Sequence, residues 1–263
     1  MITLHTFGPF LGAPDASPFV IKAMLLLKLA GLPYVEKRGN PFSAPRGLLP
    51  YIEDEDERVT DSTLIRFHLE RKYRHDFDAA LDTEQKAAAW CVEKMCEEHL
   101  YFALLHMRWC DRATFDQGLG RYMFGVIPAP ARPLAKALLR RMNAKRLSAQ
   151  GMGRHAPAEI AALAARDVEA LAVLLGGKPW LMGDAPCAAD AAVFGLLAAI
   201  LTPPLQTPLR TAAEQHPALL AYRDRLMSRY FADAATCQDS DCMLRMARSI
   251  ATDSLDKAGR SRQ

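Results

Sequence analysis

The stretch Leu48-Leu49-Pro50-Tyr51-Ile52, followed by a turn and then Asp61-Ser62-Thr63-Leu64-Ile65, constrains the fold of this chain most tightly. Its first half reads as a strand that begins at a proline, its second as a helix that begins at two small polar residues. Proline has no backbone donor, so at a strand start it marks a special backbone geometry, often a cis bond. Asp-Ser at a helix start gathers hydroxyl, carboxylate and unpaired N–H groups at one point in space. Upstream, Ile2-Thr3-Leu4-His5-Thr6-Phe7 alternates like a short strand. A loop containing Gly8, Pro9, Gly12 and Pro14 follows, and Ser17-Pro18 opens a helix as N-cap and first helical residue. Phe19, Ala23, Leu26, Leu27 and Ala30 fall on one helical face. Gly31 ends that helix, and Leu32-Pro33-Tyr34-Val35-Glu36 predicts a second strand.

The resulting order of strand, helix, strand, loop, strand, turn, strand and helix is that of a thioredoxin-like domain. From Glu84 onward the strand signals stop. Ala87, Trp90, Cys91 and Met95 share a helical face that Phe102, Leu105, His106 and Trp109 continue, which predicts one long helix or two abutting ones from Glu84 to Cys110. Pro128, Pro130 and Pro133 break the next region. Ile160, Leu163, Val168, Leu171 and Leu175 mark another helix, ended by Gly176-Gly177. The expected fold class is an α/β N-terminal thioredoxin-like domain over residues 1–75 and an all-α C-terminal domain over 84–232. The boundary falls in His75–Thr83, where Asp82-Thr83 offers a new helix cap. The polar, arginine-containing segment 233–263 is expected to be a tail, partly helical or disordered.

Half of the 263 residues are hydrophobic, enough for a sizeable core, and the net charge of +3 is too small for a nucleic-acid surface. The six cysteines include no C-x-x-C pair, so no disulfide framework is indicated and a reducing cytoplasm is the default. The chain enters a strand at once, leaving no room for a signal peptide. The longest apolar run, Ala191 to Leu201, falls short of the roughly 20 residues that span a bilayer. A cytoplasmic protein with neither nucleic acid nor membrane as partner is the expectation.

The chain resembles the glutathione S-transferase superfamily and, within it, the metaxin and failed-axon-connections branch with its bacterial relatives. The residues that carry the resemblance are Ser17-Pro18-Phe19, Leu29-Ala30-Gly31-Leu32-Pro33-Tyr34, Leu49-Pro50-Tyr51-Ile52 and Asp61-Ser62. Leu181-Met182-Gly183-Asp184 and Ala189-Asp190-Ala191 add to it, so that it spans roughly residues 1–232. It implies glutathione as cosubstrate, no metal, a small hydrophobic electrophile as second substrate, and a homodimer in which the small domain of one subunit packs on the helical domain of the other.

Ser17 is the candidate catalytic residue. A hydroxyl at a helix N-terminus stands beside unpaired N–H groups and the positive end of the helix dipole, which would lower a thiol pKa and raise its thiolate fraction. The plainer reading is an N-cap. Relatives that place their reactive hydroxyl earlier in the loop leave open which residue of 8–17 meets the thiol, and relatives with cysteine at the position of Ser17 form mixed disulfides, which serine disfavours. Leu49 and Pro50 would pair with a peptide ligand as in strand addition, or shape the core. Asp61 would meet the ligand's ammonium and Ser62 its carboxylate, with helix capping as the companion reading. Arg46 could meet the glycyl carboxylate, or be a surface charge. Tyr101, His106 and Trp109 are candidates to line the electrophile pocket, or belong to the core. His99 and His106 with Glu98 lack a compact metal-ligand spacing, and His68 reads as a packed, hydrogen-bonded core residue. Where the family has Ser or Thr three residues before Asp190, this chain has Cys187, a weaker hydrogen-bond acceptor for a capping box. Two functions remain open: a glutathione transferase, or a non-catalytic metaxin-like interaction or ligand-binding module on the same fold.

Overall fold

The computed structural model describes residues 1–41, 43–124 and 127–232. Strand β1 (Ile2–Thr6) leads through a long loop into helix α1 (Pro18–Leu29), and then come β2 (Tyr34–Arg38), β3 (Tyr51–Asp54), β4 (Glu57–Thr60) and α2 (Ser62–Tyr73). The sheet order is β2-β1-β3-β4. β1 and β2 run parallel, whereas β3 is antiparallel to both β1 and β4. β1, β2 and β4 therefore end at the sheet edge where β3 begins. The segments that lead into α1 and α2, and the segment that leads into β3, all meet at that one edge.

The local signals explain most of this unit. Ser17 occupies the N-cap of α1 with Pro18 in its first turn. At the other end Gly31 adopts φ 66°. The Leu32 N–H bonds to the Leu27 carbonyl and the Gly31 N–H to that of Lys28, a Schellman closure that a residue with Cβ enters only under strain. The second strand begins two residues later than the pattern predicts and runs to Arg38, because β1 continues to Thr6 and pairs with it there. β3 starts at Tyr51, directly after Pro50.

Beyond Tyr73 the described elements are helical. α3 (Thr83–Met95) is capped by Asp82, whose carboxylate accepts from Gln85 N–H while the Gln85 side chain accepts from Asp82 N–H. A five-residue π-helical stretch, Cys96–Leu100, joins it without a break to α4 (Tyr101–Trp109). Then follow α5 (Arg112–Gln117), α6 (Leu119–Tyr122), α7 (Arg132–Gln150), α8 (Pro157–Leu175), α9 (Ala188–Leu201), α10 (Pro208–Glu214) and α11 (Pro217–Tyr230). The expected tail, 233–263, lies outside the described residues, as do Cys237 and Cys242.

Three readings are corrected. The apolar face assigned to α3 points outward: Ala87, Trp90 and Cys91 are exposed, and the buried face carries Ala89, Val92, Glu93 and Cys96. Burial of a paired glutamate turned the helix away from its own aromatic. Pro133 does not break the chain but sits in the first turn of α7, a 19-residue helix with only Leu147 fully buried. Leu163 on α8 is 37% exposed and does not join Ile160, Val168, Leu171 and Leu175 in the core.

Helix α9 is buried along its whole length and lies against α1. A Cβ at Gly195 would stand 2.4 Å from the carbonyl oxygen of Pro18, so only glycine allows this approach. The main core runs from the sheet through α1 and α9 to α8. A smaller cluster of Phe10, Phe115, Leu119, Phe124 and Leu205 ties the long first loop to α5 and α6.

Candidate functional site

The edge where β3 begins collects most of the residues singled out from the sequence. The Leu49-Pro50 peptide bond is cis. Asp61 N–H donates to the Pro50 carbonyl at 3.3 Å, which joins these two elements directly. Among the described residues the Leu49 backbone takes no hydrogen-bond partner, while its side chain is buried against Gly39. Its N–H and C=O are thus available to an extended ligand, the strand-addition geometry. Asp61 is exposed, and its Oδ1 accepts from Thr63 N–H at 2.7 Å and Leu64 N–H at 3.4 Å, so the capping reading holds. Its φ of 75° is not what a cap requires, since N-caps are ordinarily extended. A carboxylate residue held in that region is strained, and such strain clusters at ligand sites. Ser62, buried at 3% exposure, is the first residue of α2.

Ser17 stands at the same edge. Its hydroxyl makes no cap hydrogen bond; its N–H instead donates to Asp15 Oδ1 at 2.8 Å. Asp15 Oδ2 accepts from Gly8 N–H, so this fully buried carboxylate pins both ends of the loop that carries Ser17. Burial pushes the Asp15 carboxyl up to about 8 against the pull of those two N–H donors and of Arg38. Arg108 clamps the same loop from the helical side, donating to the Ala16 and Ala199 carbonyls at 2.8 Å each. Burial lowers the Arg108 pKa to about 10.

The first turns of α1 and α2 are locked together by a buried ion cluster that the sequence reading missed. Lys22 Nζ donates to Thr63 Oγ1 (3.1 Å), Glu93 Oε1 (2.9 Å) and Glu97 Oε1 (2.5 Å). Arg66 bonds to Glu93 at 3.0 Å, to Glu70 and to Asp78, whose other oxygen accepts from Ala188 N–H at the start of α9. Burial pushes Glu93 up, but Lys22 and Arg66 more than offset it and hold the carboxyl below its usual range. The local signs were Lys22 within the apolar run that opens α1 and a Glu93/Glu97 pair four residues apart, but nothing in the sequence joins the two. Arg38 was also missed, because the strand was read as ending at Glu36. It donates to Thr6 Oγ1 at 3.2 Å and lies over Gly8, where any Cβ would collide with its guanidinium.

The remaining candidates divide. Tyr101 meets Phe19 edge-on at 4.6 Å, one residue beyond the start of α1, above a cavity of about 10 Å³ also bordered by Lys22 and Glu97. Helical geometry turns His106 about 140° away from Tyr101 and sets Trp109 about 12 Å farther along the axis. Trp109 packs on Phe115 at 5.7 Å, in the smaller cluster, and burial lowers the His106 pKa. His106 and Trp109 are therefore not gathered with Tyr101 on one wall. Arg46 lies on an exposed left-handed turn (φ 58°) just before the strand, without an ion pair among the described residues. His68 is the core residue it was read to be, with Nε2 2.8 Å from Asp54 Oδ2. His99 Nδ1 lies 2.5 Å from Asp167 Oδ2. Asp190 accepts from Leu181 N–H, Cys187 N–H and Tyr222 O–H, which holds the loop ahead of α9.

Comparison with known proteins gives a consistent family. The model described as "Glutathione S-transferase N-terminal domain" matches residues 18–114, and that described as "Glutathione S-transferase, C-terminal domain" matches residues 164–226. The isoprene-epoxide–glutathione S-transferase of Rhodococcus sp. (strain AD45) is 30% identical over 236 residues, covering 88% of this chain and 99% of that protein. Failed axon connections of Drosophila melanogaster is 29% identical over 250 residues; the match covers 89% of this chain but 59% of that longer protein. Metaxin-1 is a further relative. The crystal structure of beta-etherase LigF from Sphingobium sp. strain SYK-6 superposes with a TM-score of 0.62 at 17% identity, covering 89% of this chain and 97% of that one, a likeness of fold.

Proposed function

From the premise that this chain belongs to the glutathione S-transferase superfamily, in the branch shared with failed axon connections and the metaxins, we propose that it is a glutathione transferase acting on a small electrophile. The observation that carries this reading is the convergence of Ser17, Leu49-Pro50 and Asp61-Ser62 on one sheet edge. In this reading the Leu49 backbone pairs with the cysteinyl part of the tripeptide. The Asp61 carboxylate meets the α-ammonium, and Ser62 with the N-terminus of α2 meets the α-carboxylate. Arg46 reaches the glycyl carboxylate. The Ser17 hydroxyl, uncommitted to a cap, donates to the thiolate sulfur and favours the ionised form of a thiol whose ordinary pKa is about 8.5. The thiolate attacks an electrophilic carbon, and the leaving group or opened ring takes the proton. Phe19 and Tyr101 form the wall for the electrophile. An epoxide is the first electrophile to try, given the Rhodococcus relative's name. A cytoplasmic homodimer completes the proposal.

Titration calorimetry with glutathione tests binding, and turnover with an epoxide tests chemistry. Binding tighter than about 1 mM is expected. Ser17→Ala is expected to lower turnover about a hundredfold, the scale for losing one pre-organised donor, with little change in glutathione affinity. Unchanged turnover removes Ser17 from the mechanism. Absence of binding at saturating glutathione overturns the transferase reading and leaves a non-catalytic interaction module.

A further inference from the structure

Helix α7 carries Arg132, Lys136, Arg140, Arg141, Lys145 and Arg146 and no acidic residue, in a chain whose net charge is only +3. Elsewhere cations are commonly matched by carboxylates, as at Arg58–Glu53, Arg71–Glu57, Lys72–Glu55 and Arg166–Glu169. Among the described residues no carboxylate pairs with Lys136, Arg140, Arg141, Lys145 or Arg146. Arg140 is spent on the Trp109 and Cys110 carbonyls, and Lys136 lies over the Phe124 ring. Arg141 and Lys145 project from an exposed surface. Beside them Leu134 is 75% exposed, Leu138 56% and Met142 50%. At helical spacing these five residues and Ala137 share one face, an arc of about 140°. The inner face, through Ala135 and Leu139, packs on the smaller cluster.

We propose that this face of α7 docks on an anionic bilayer surface, lying in the headgroup plane. The aliphatic row would enter the headgroup–acyl boundary while Arg141 and Lys145 meet lipid phosphates, the arrangement of an interfacial amphipathic helix. No helix among the described residues is long and apolar enough to cross a membrane, so the contact is peripheral. The charge pattern decides against a second copy as occupant. A two-fold contact through this face would set its unpaired cations against their own images. In the most acidic stretch of the chain, Glu53 to Glu57, four of the five carboxylates are already met by Arg58, Lys72 and Arg71, which leaves Asp56 to meet α7 of another copy.

Sedimentation of the full chain with phosphatidylcholine vesicles, with and without phosphatidylglycerol, tests this. Binding is expected to the anionic vesicles alone, and weaker at high salt. Leu138→Ser and the pair Arg141→Glu/Lys145→Glu replace exposed side chains and should keep the wild-type thermal midpoint. Each is expected to lower partitioning about tenfold or more. The proposal is overturned if the wild-type chain ignores anionic vesicles, or if both variants sediment as it does. A wild-type dimer that Leu138→Ser dissociates also overturns it, since a second copy then covers this face.

Discussion

Lys22 and Lys145 occupy opposite circumstances. Lys22 is 1% exposed and reaches two glutamates and a threonine from three different elements. Lys145 is exposed on α7 with no carboxylate paired to it among the described residues. A cation taken out of water must be paired and hydrogen-bonded, so the junction of α1, α2 and α3 leaves its charges no freedom. A cation left in water carries no such demand. The first arrangement fixes geometry at the candidate glutathione site. The second leaves a face open to a partner. The comparison teaches that charge in this protein is structural where it is dry and available where it is wet.

The sharpest way to break the comparison is Lys22→Met. It removes one partner from Glu93, which keeps Arg66 and Lys94, and weakens the hold on Glu97, so it is expected to cost about 2–3 kcal/mol at neutral pH, less than the roughly 3–5 kcal/mol for orphaning a buried charge outright. Denaturant unfolding reads this directly. A loss below about 1 kcal/mol would mean that the cluster rearranges freely. The pH dependence sharpens the point. The Glu93 carboxyl is held below the usual carboxylate range in the folded protein. Its contribution is therefore fully present above the unfolded pKa and is lost as pH falls through the folded value. Lys22→Met removes the largest offset to burial and raises that folded value. The stability gap between the two proteins should therefore be widest near neutral pH and narrow as the carboxylates protonate. A gap that widens on acidification refutes the assignment.

Cys187 tests a buried position without charge. Its N–H is bonded to the Asp190 carboxylate, and the Asp190 N–H donates to the Cys187 carbonyl at 3.1 Å rather than to a side-chain oxygen. Cys187→Ser completes the reciprocal cap and is expected to stabilise the protein by about 0.5–1 kcal/mol. A denaturation midpoint that falls instead shows that desolvating a hydroxyl at this 1%-exposed site outweighs the new bond.

What the sequence made legible follows the same division. Signals confined to a few neighbouring residues were readable. Ser17-Pro18 opened a helix, Gly31 closed it, Pro50 marked a cis bond, Asp61 and Asp82 capped helices, and His68 lay in the core. The convergence of Ser17, Pro50 and Asp61 was readable only because a resemblance supplied the strand order. The Lys22 cluster was not, since its partners lie 41, 71 and 75 residues away. For the same reason the buried face of α3 was misread: hydropathy counts Trp90 as core and Glu93 as surface, and pairing reversed both. α7 escaped because Pro128, Pro130 and Pro133 suggested a break, although its composition favours a helix, and because Leu134, Leu138 and Met142 face water.

Lys145→Ala supplies the other end of the comparison. Removing an exposed cation that pairs with no carboxylate should change stability by less than about 0.5 kcal/mol, as for surface positions in general. The same holds for Arg141→Ala. A slight stabilisation is the more informative outcome, because six like charges on one helix repel one another and losing one relieves that repulsion. Such a gain should shrink as salt is added and screening sets in. A loss above about 1 kcal/mol in either variant would mean that α7 depends on these side chains for its own packing, and that its charge is not held in reserve for a partner.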